Sequence, residues 1–485
     1  MKFVEAQHAA AEHWDVVVVG SGFGAVFFLQ KYLEHRPGDR VLVLERGRHN
    51  RHDWQLAFEE NSDIEKTDVY ARAGNDKEWD FTIGLGGSTN CWWGLTPRLH
   101  PRDFDIFTRT GVGADWPVRY DDLVPFYQQA EQTMMIAGSD ELDAIYPGTK
   151  YVQPAHHLTT ADEMIRARPG HHHYPMPTAK LSRAVGSRGR CCSNSTCNLC
   201  PTEAKFTALN GMQPVFSHPA VSICLKSTVE MLDVADGVVK SVKFSNAGRD
   251  YTVKCDLCVM GANAMQSPFI MLRSGIGGHG LGRYFGEKML ARIEVKLDGL
   301  DHFDGGTAAT ALNLSLLQEE RDASRGSAVY IFDNSLYPGL RLDPPGRWRQ
   351  TLPVEVYAED LFDYDNGVFD EGGDRPVIRF KPWSDFAMRT LDHAMEALPG
   401  IVSALPVEEV GKPVIKPTLG HMQGTCRMGT NIENSVIDSD LIAHSTRNLV
   451  VVGTSIFPTA GSANPSLSAA ALSLRAADRM WRQEA

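Results

Sequence analysis

Residues 15–47 constrain this chain more than any other stretch. Asp15-Val-Val-Val-Val-Gly20-Ser-Gly22-Phe-Gly24-Ala25 runs into an apolar segment, then into Val41-Leu-Val-Leu-Glu45-Arg46-Gly47. Four consecutive valines bounded by glycine predict a strand buried on both faces of a parallel sheet. Gly20 permits the tight turn after that strand, and Gly22 lets a pyrophosphate approach the backbone. Gly24 follows at the helix start, and Ala25 stands in place of a third glycine, small enough for close helix–strand packing. The helix that begins here offers free N–H groups and its positive end to phosphate. Glu45, with Arg46 beside it, closes a second apolar strand, where a carboxylate can accept both hydroxyls of an adenosine ribose. The expectation is a dinucleotide site. A glycine-rich turn without a ligand is the competing reading, and the position of Glu45 weighs against it.

A chain of 485 residues exceeds the usual single-domain size, so two closely packed domains are expected. A net charge of −12 argues against a nucleic-acid partner, whose phosphates need a concentrated basic face. No apolar run approaches the ~20 residues that span a bilayer, and the first residues lack the apolar core of a signal peptide. Those features predict a cytoplasmic protein, or one exported with a partner that carries the signal.

Several blocks after Gly47 carry candidate chemistry. Gly84-Leu-Gly86-Gly87-Ser88-Thr89-Asn90-Cys91-Trp92-Trp93-Gly94 combines small residues, which allow close approach, with aromatic rings that can cover something flat. Pro125 is expected near the first turn of a helix. Residues 140–190 form a long irregular stretch of the kind used for lids and interfaces. His171-His172-His173 reads as a solvated run, because three successive residues cannot all face one ion. Cys191, Cys192, Cys197 and Cys200 fall within ten residues of a turn-rich loop, with Pro201 after the last. That spacing resembles iron–sulfur ligation, with zinc second; a disulfide or buried free thiols remain open. Cys255 and Cys258 sit in an apolar strand and read as structural.

Between residues 290 and 382 the pattern changes to period two. Ile293, Val295 and Leu297 alternate with Arg292, Glu294 and Lys296, and Val354 and Val356 alternate with Glu355 and Tyr357. This predicts an antiparallel sheet with one wet face. Helical spacing of Ala387, Leu391, Ala394, Met395 and Leu398 predicts a helix from Ser384. Toward the C-terminus come the loop His421–Gly429, a buried strand ending at Gly453, and a final Ala/Leu-rich helix. Asn464 is expected at the cap of that helix and Pro465 at its first position.

Four of these blocks, in order, resemble the glucose–methanol–choline (GMC) flavoprotein oxidoreductases: Gly20–Gly24 with Glu45, Gly86-Gly87-Ser88-Thr89, His421–Gly429, and Asn464-Pro465. The resemblance covers nearly the whole chain. The Asp115-Trp116-Pro117 block and the Phe457–Pro465 ending are most similar to the branch holding gluconate dehydrogenase and the bacterial FAD-dependent glucose dehydrogenase catalytic subunit. The fold implied is α/β, α+β overall: a Rossmann-like FAD-binding domain discontinuous in sequence (1–120, 220–289 and 405–485), a connecting segment (121–219), and an antiparallel-sheet substrate domain (290–404).

The resemblance implies FAD held by Gly20, Gly22, Gly24, Ala25, Glu45, Arg46, Gly86, Gly87, Ser88, Asn90, Cys91, Gly453 and Pro465. His421 matches the family's catalytic base and Asn464 the second site position. Cys91 stands where some members carry a flavin-linked histidine, so the FAD is expected to be non-covalent. A similar Cys-Cys…Cys…Cys-Pro segment in the glucose dehydrogenase subunit holds a 3Fe–4S cluster. That implies a cluster here, 3Fe–4S ahead of 4Fe–4S, held by three or all four of Cys191, Cys192, Cys197 and Cys200. The implied function is a dehydrogenase of a small-molecule alcohol that passes electrons singly to a cytochrome or quinone, with a small partner subunit. An oxygen-using oxidase with structural cysteines, a non-redox flavoprotein and a non-catalytic subunit are the alternatives.

Overall fold

The computed structural model describes residues 1–74, 76–318, 321–334, 346–417 and 420–482. The four valines form the strand His13–Val19, whose Val16, Val17 and Val18 are wholly buried. It lies between Val41–Leu44 and Arg249–Met260, parallel to both, with Val16 opposite Val41 on one side and Leu257 on the other. Val221–Cys224 extends the parallel sheet beyond Val41–Leu44, and Thr446–Val451 pairs in parallel with Arg249–Met260. A meander of Ser227–Ala235, Val238–Asn246 and Arg249–Met260 is antiparallel and grows from the same sheet. Helices Phe23–His35 and Ser466–Arg482 pack together against this layer, and Tyr120–Met134 packs on the second of them. Valine and leucine dominate the strands because both faces are covered, which leaves no place for an alternating pattern.

The second sheet is antiparallel and runs Met289–Leu297, Thr351–Ala358, Ala328–Asp333, Ala309–Asn313 and His173–Pro175 in space. Its reach is wider than residues 290–404. His173–Pro175 adds an edge from the connecting segment, and Val407–Val410 and Val414–Ile415 pair with Met289–Leu297. The helix Asp385–Ile401 covers one face, with Ala387, Leu391, Ala394 and Leu398 packed against Val354, Val356 and Tyr330. The helix follows Ser384 as expected, and Ser384 also caps it, its side chain accepting from the Ala387 N–H. The opposite face of the sheet turns toward the first domain layer rather than to bulk water. Among the described residues, no helix is long and apolar enough to cross a membrane.

Three local expectations change. His173 is not part of a solvated run: it is buried, and its Nε2 lies 3.0 Å from Asp162 Oδ1, itself buried. Strand pairing with Asn313 pulled it inside, and a buried imidazole then needs a polar partner. Pro125 lies inside the helix Tyr120–Met134 rather than in its first turn. The last helix starts at Ser466, and the Ala469 N–H bonds to the Pro465 carbonyl. The Asn464 side chain is therefore released from capping and turns elsewhere. Cys255 and Cys258 are buried in their strand, as structural thiols should be.

Candidate active site

Between the parallel layer and the wet face of the antiparallel sheet lies a cavity of about 1160 Å³. That exceeds the ~300–1,000 Å³ of an ordinary small-molecule pocket and leaves room for a dinucleotide with a substrate beside it. One end is the glycine turn. Gly20 has φ +87°, and a Cβ there would stand 2.7 Å from the Gly261 carbonyl oxygen; a Cβ on Gly24 would stand 2.4 Å from the Gly453 nitrogen. Gly22, by contrast, has nothing within 4 Å of its Cβ position. The glycines thus divide the labour: two let backbones touch, and one leaves its face open to the cavity. That open face, on the turn before the helix Phe23–His35, is a cradle for a pyrophosphate.

Glu45 lies on the cavity wall, with Ser21 Oγ donating to its Oε2 at 2.5 Å and the Gly47 N–H to its Oε1 at 2.9 Å. Burial pushes its carboxyl up, and these donors pull it back. Each oxygen retains a lone pair for a ribose hydroxyl. Arg46, Gly87, Ser88, Cys91, Gly453 and Pro465 also line the cavity. Ala25, Gly86 and Asn90 stand behind this wall rather than on it. Ala25 meets Gly261 across the helix–strand contact, Gly86 makes a turn at φ +92°, and Asn90 Nδ2 ties down the Leu85 carbonyl at 3.0 Å. Their sequence signal came from small size and loop position, which serve the scaffold equally well. Burial raises the Cys91 thiol, which leaves it protonated and a poor nucleophile for a covalent link.

At the other end stand His421 and Asn464, 43 residues apart in sequence. Asn464 Nδ2 lies 3.4 Å from His421 Nε2, while His421 Nδ1 and Asn464 Oδ1 are buried without a partner. Burial first, and then the Lys288 cation, hold His421 well below the usual imidazole range, so the ring is neutral. The N-terminus of the helix Ser466–Arg482 opens onto the same space through Pro465 and Ser466. The Tyr357 ring sits edge-on to His421, with centroids 6.2 Å apart. Tyr357, Glu355, Arg292 and Asp333 form the opposing wall. Sequence reasoning missed these four as site residues. The alternation of Arg292, Glu355 and Tyr357 with apolar residues was visible, but not which side that face would meet, and Asp333 carried no signal.

The cysteine loop behaves differently from its expectation. Cys197 is buried, Cys191 and Cys200 are half-buried, and Cys192 is exposed. Cys191 and Cys200 are near enough to add to the rise that burial imposes on the Cys197 thiol. Lys180 Nζ lies 3.6 Å from Cys197 Sγ, and Cys191 Sγ donates to Thr307 Oγ1 at 3.6 Å. Among the described residues, no three His, Cys, Asp or Glu side chains converge on one metal ion. The four thiols of Cys191, Cys192, Cys197 and Cys200 do not all face one space: Cys192 turns outward, while Cys191 and Cys200 lie near Cys197. Asn194, Ser195, Thr196 and Asn198 of this loop still reach the main cavity, which Trp92 and Trp93 also line.

The glycine geometry gives a paired test. Gly24→Ala should destabilise the fold by about 1–3 kcal/mol, the range for forced overpacking, and release the dinucleotide. Gly22→Ala should leave the denaturation midpoint near wild type yet still weaken retention of the dinucleotide. Urea titration and bound-cofactor absorbance read the two effects separately.

Comparison with known proteins agrees with this geometry. The GMC oxidoreductase family model matches residues 374–473. Paromamine 6'-oxidase of Streptomyces fradiae is 28% identical, over 96% of this chain and 90% of its own length. The 6'''-hydroxyparomomycin C oxidase of Streptomyces lividus is 27% identical, over 95% of this chain and 90% of its own. A formate oxidase of Aspergillus oryzae RIB40, studied for FAD modification, shares the fold with a TM-score of 0.71 at 14% identity, over 98% of this chain and 99% of that one.

Proposed function

Since the chain belongs to the GMC oxidoreductases, we propose that it oxidises an alcohol, with His421 as the proton acceptor and Asn464 as the group that fixes the reacting oxygen. The observation that carries this reading is the approach of Asn464 Nδ2 to His421 Nε2 on the wall of the cavity the glycine turn opens. The open face of Gly22, the anchored Glu45 carboxylate and the helix end at Pro465 fit FAD. FAD, when bound, supplies a two-electron acceptor for the carbinol hydride.

The protein's own part is binding and proton transfer. A substrate hydroxyl between the two side chains donates its proton toward His421 Nε2 and accepts from Asn464 Nδ2. A neutral imidazole can take that proton, and burial together with Lys288 keeps it neutral. The amide holds the carbon at a fixed distance, which turns an encounter into a positioned reaction. The positive end of the helix Ser466–Arg482 favours negative charge that develops at this end of the cavity. The two Streptomyces relatives are named as oxidases of paromamine and 6'''-hydroxyparomomycin C, which supports a hydroxyl-bearing small molecule as substrate. Anaerobic addition of a substrate alcohol should bleach the bound flavin. A non-redox or scaffold role predicts no bleaching by any alcohol.

A second reading concerns where the electrons go. The wall contributed by Asn194, Ser195, Thr196 and Asn198, with Cys191 and Cys200 close to Cys197 in the same loop, supports an iron–sulfur outlet and an external acceptor in place of oxygen. Iron and acid-labile sulfide in the purified protein, with little peroxide formed in air, would be the expected result. Absence of iron together with stoichiometric peroxide would favour the oxidase reading.

A further inference from the structure

His421 can act as a base only as the tautomer with its proton on Nδ1 and a free lone pair on Nε2. In a buried histidine, the bond made by one ring nitrogen decides where the proton sits. Here Nδ1 is buried without a partner, so the choice falls to Nε2 and the group it meets, the Asn464 amide at 3.4 Å. An amide can present either end. With Nδ2 toward the ring, Nε2 is held as an acceptor, ready for a substrate proton. Turned over, Oδ1 would accept from an Nε2–H and hold the imidazole in the tautomer that cannot act.

Tyr357 stands where it can make that selection. Its ring is edge-on to His421, and it lines the same cavity as Glu355, His421 and Asn464. Among the described residues, the acceptor for its hydroxyl is Glu355 Oε2, at 3.4 Å. A hydroxyl that gives its hydrogen to a carboxylate has only lone pairs left for other neighbours. Asn464 is such a neighbour. Burial first, and then Glu355 and Asp333, raise the Tyr357 phenol, while a hydrogen bond from Asn464 pulls it back. Arg292, directly opposite Glu355 on the neighbouring strand, favours the ionised carboxylate that this direction requires.

We infer that Tyr357 and Glu355 are positioning residues for the base. Asn464 Nδ2 donates to the Tyr357 hydroxyl oxygen and Tyr357 donates to Glu355, which keeps the amide nitrogen toward His421 and the imidazole in its reactive tautomer. The inference rests on the alcohol-oxidation reading and adds two residues that act through Asn464 rather than on the substrate.

The tautomer itself is the first readout. In holoenzyme with isotopically labelled histidine nitrogens, nuclear magnetic resonance separates a protonated ring nitrogen from a bare one, and the signal missing from His421→Ala identifies the residue. The buffer is set above the Glu355 titration, which burial and the Asp333 charge push up to about 7. His421 Nε2 should be bare in the wild type and move toward the protonated signal in Tyr357→Phe, which keeps the ring and removes only the hydroxyl. Glu355→Leu, at the other end of the chain, should do the same. The second readout is anaerobic flavin bleaching with glycerol, glucose and benzyl alcohol as probes. Tyr357→Phe should slow it about 3–10-fold, the range for one hydrogen bond, and should cost nothing further in an Asn464→Ala background. A tautomer unmoved in both variants, or equal slowing with and without Asn464, overturns the inference. A shifting tautomer in a protein whose flavin no probe bleaches would support the positioning chain and overturn the alcohol-oxidation reading instead.

Discussion

Replacing His421 with alanine should lower the rate of flavin bleaching by about 10²–10⁴-fold, the usual contribution of a positioned general base, while FAD remains bound. The side chain borders the cavity but not the glycine turn, so its loss removes a proton acceptor without touching the phosphate cradle. Asn464→Ala should slow the reaction by raising disorder in the reacting oxygen, with a smaller effect. The pH profile adds a sign. A base must be unprotonated, and burial with the Lys288 cation lowers the His421 pKa. The acid limb of kcat/KM should therefore lie below the ordinary imidazole range near 6.5. Lys288→Met removes the nearby cation and should move that limb upward. A limb that stays fixed in His421→Ala, at an unchanged rate, would put the base elsewhere.

The second large effect lies away from the chemistry. Arg98 and Glu131 are both fully buried and form a two-pronged pair, Nε to Oε1 at 2.7 Å and Nη2 to Oε2 at 2.8 Å. Arg98 also donates to the Tyr120 hydroxyl and to the carbonyls of Pro147 and Gly148. One guanidinium thus joins the strand-like segment after the Trp loop, the helix Tyr120–Met134 and the loop that follows it. Glu131→Ala leaves a buried, uncompensated cation, and should cost about 3–5 kcal/mol. The double variant Arg98→Met/Glu131→Leu should recover most of that loss, because the pair's own attraction is largely offset by desolvation. Urea midpoints of the single and double variants check this directly. Similar midpoints for wild type and Glu131→Ala would mean that water reaches the pair.

Legibility in the sequence followed how local the determining physics was. Gly20, Gly22 and Gly24 were readable because their spacing after a buried strand marks a tight turn with a bare face, although the backbones that Gly20 and Gly24 admit come from Gly261 and Gly453. The helix behind Ser384 was readable from spacing alone. His173 was not, because only a strand pairing 140 residues away in sequence draws it inside. The capping of Asn464 was misread for a related reason: its local role as a helix starter was displaced by a distant partner, His421. The cysteines share a loop in sequence, yet the fold turns Cys192 outward and Cys197 inward.

Sequence by itself determined the elements whose cause is carried by single residues or their periodicity: the buried valine strand, the glycine turn, the alternating sheet and the covering helix. Backbone freedom and side-chain alternation are local properties, so they survive without knowledge of neighbours. Tertiary structure alone decided what the alternating sheet faces. Arg292, Glu355 and Tyr357 looked like residues for water, and docking of the two layers made them, with Asp333, the wall opposite His421. Burial changed their chemistry: it pushes the Glu355 carboxyl up, where a carboxylate in solvent would keep its ordinary value.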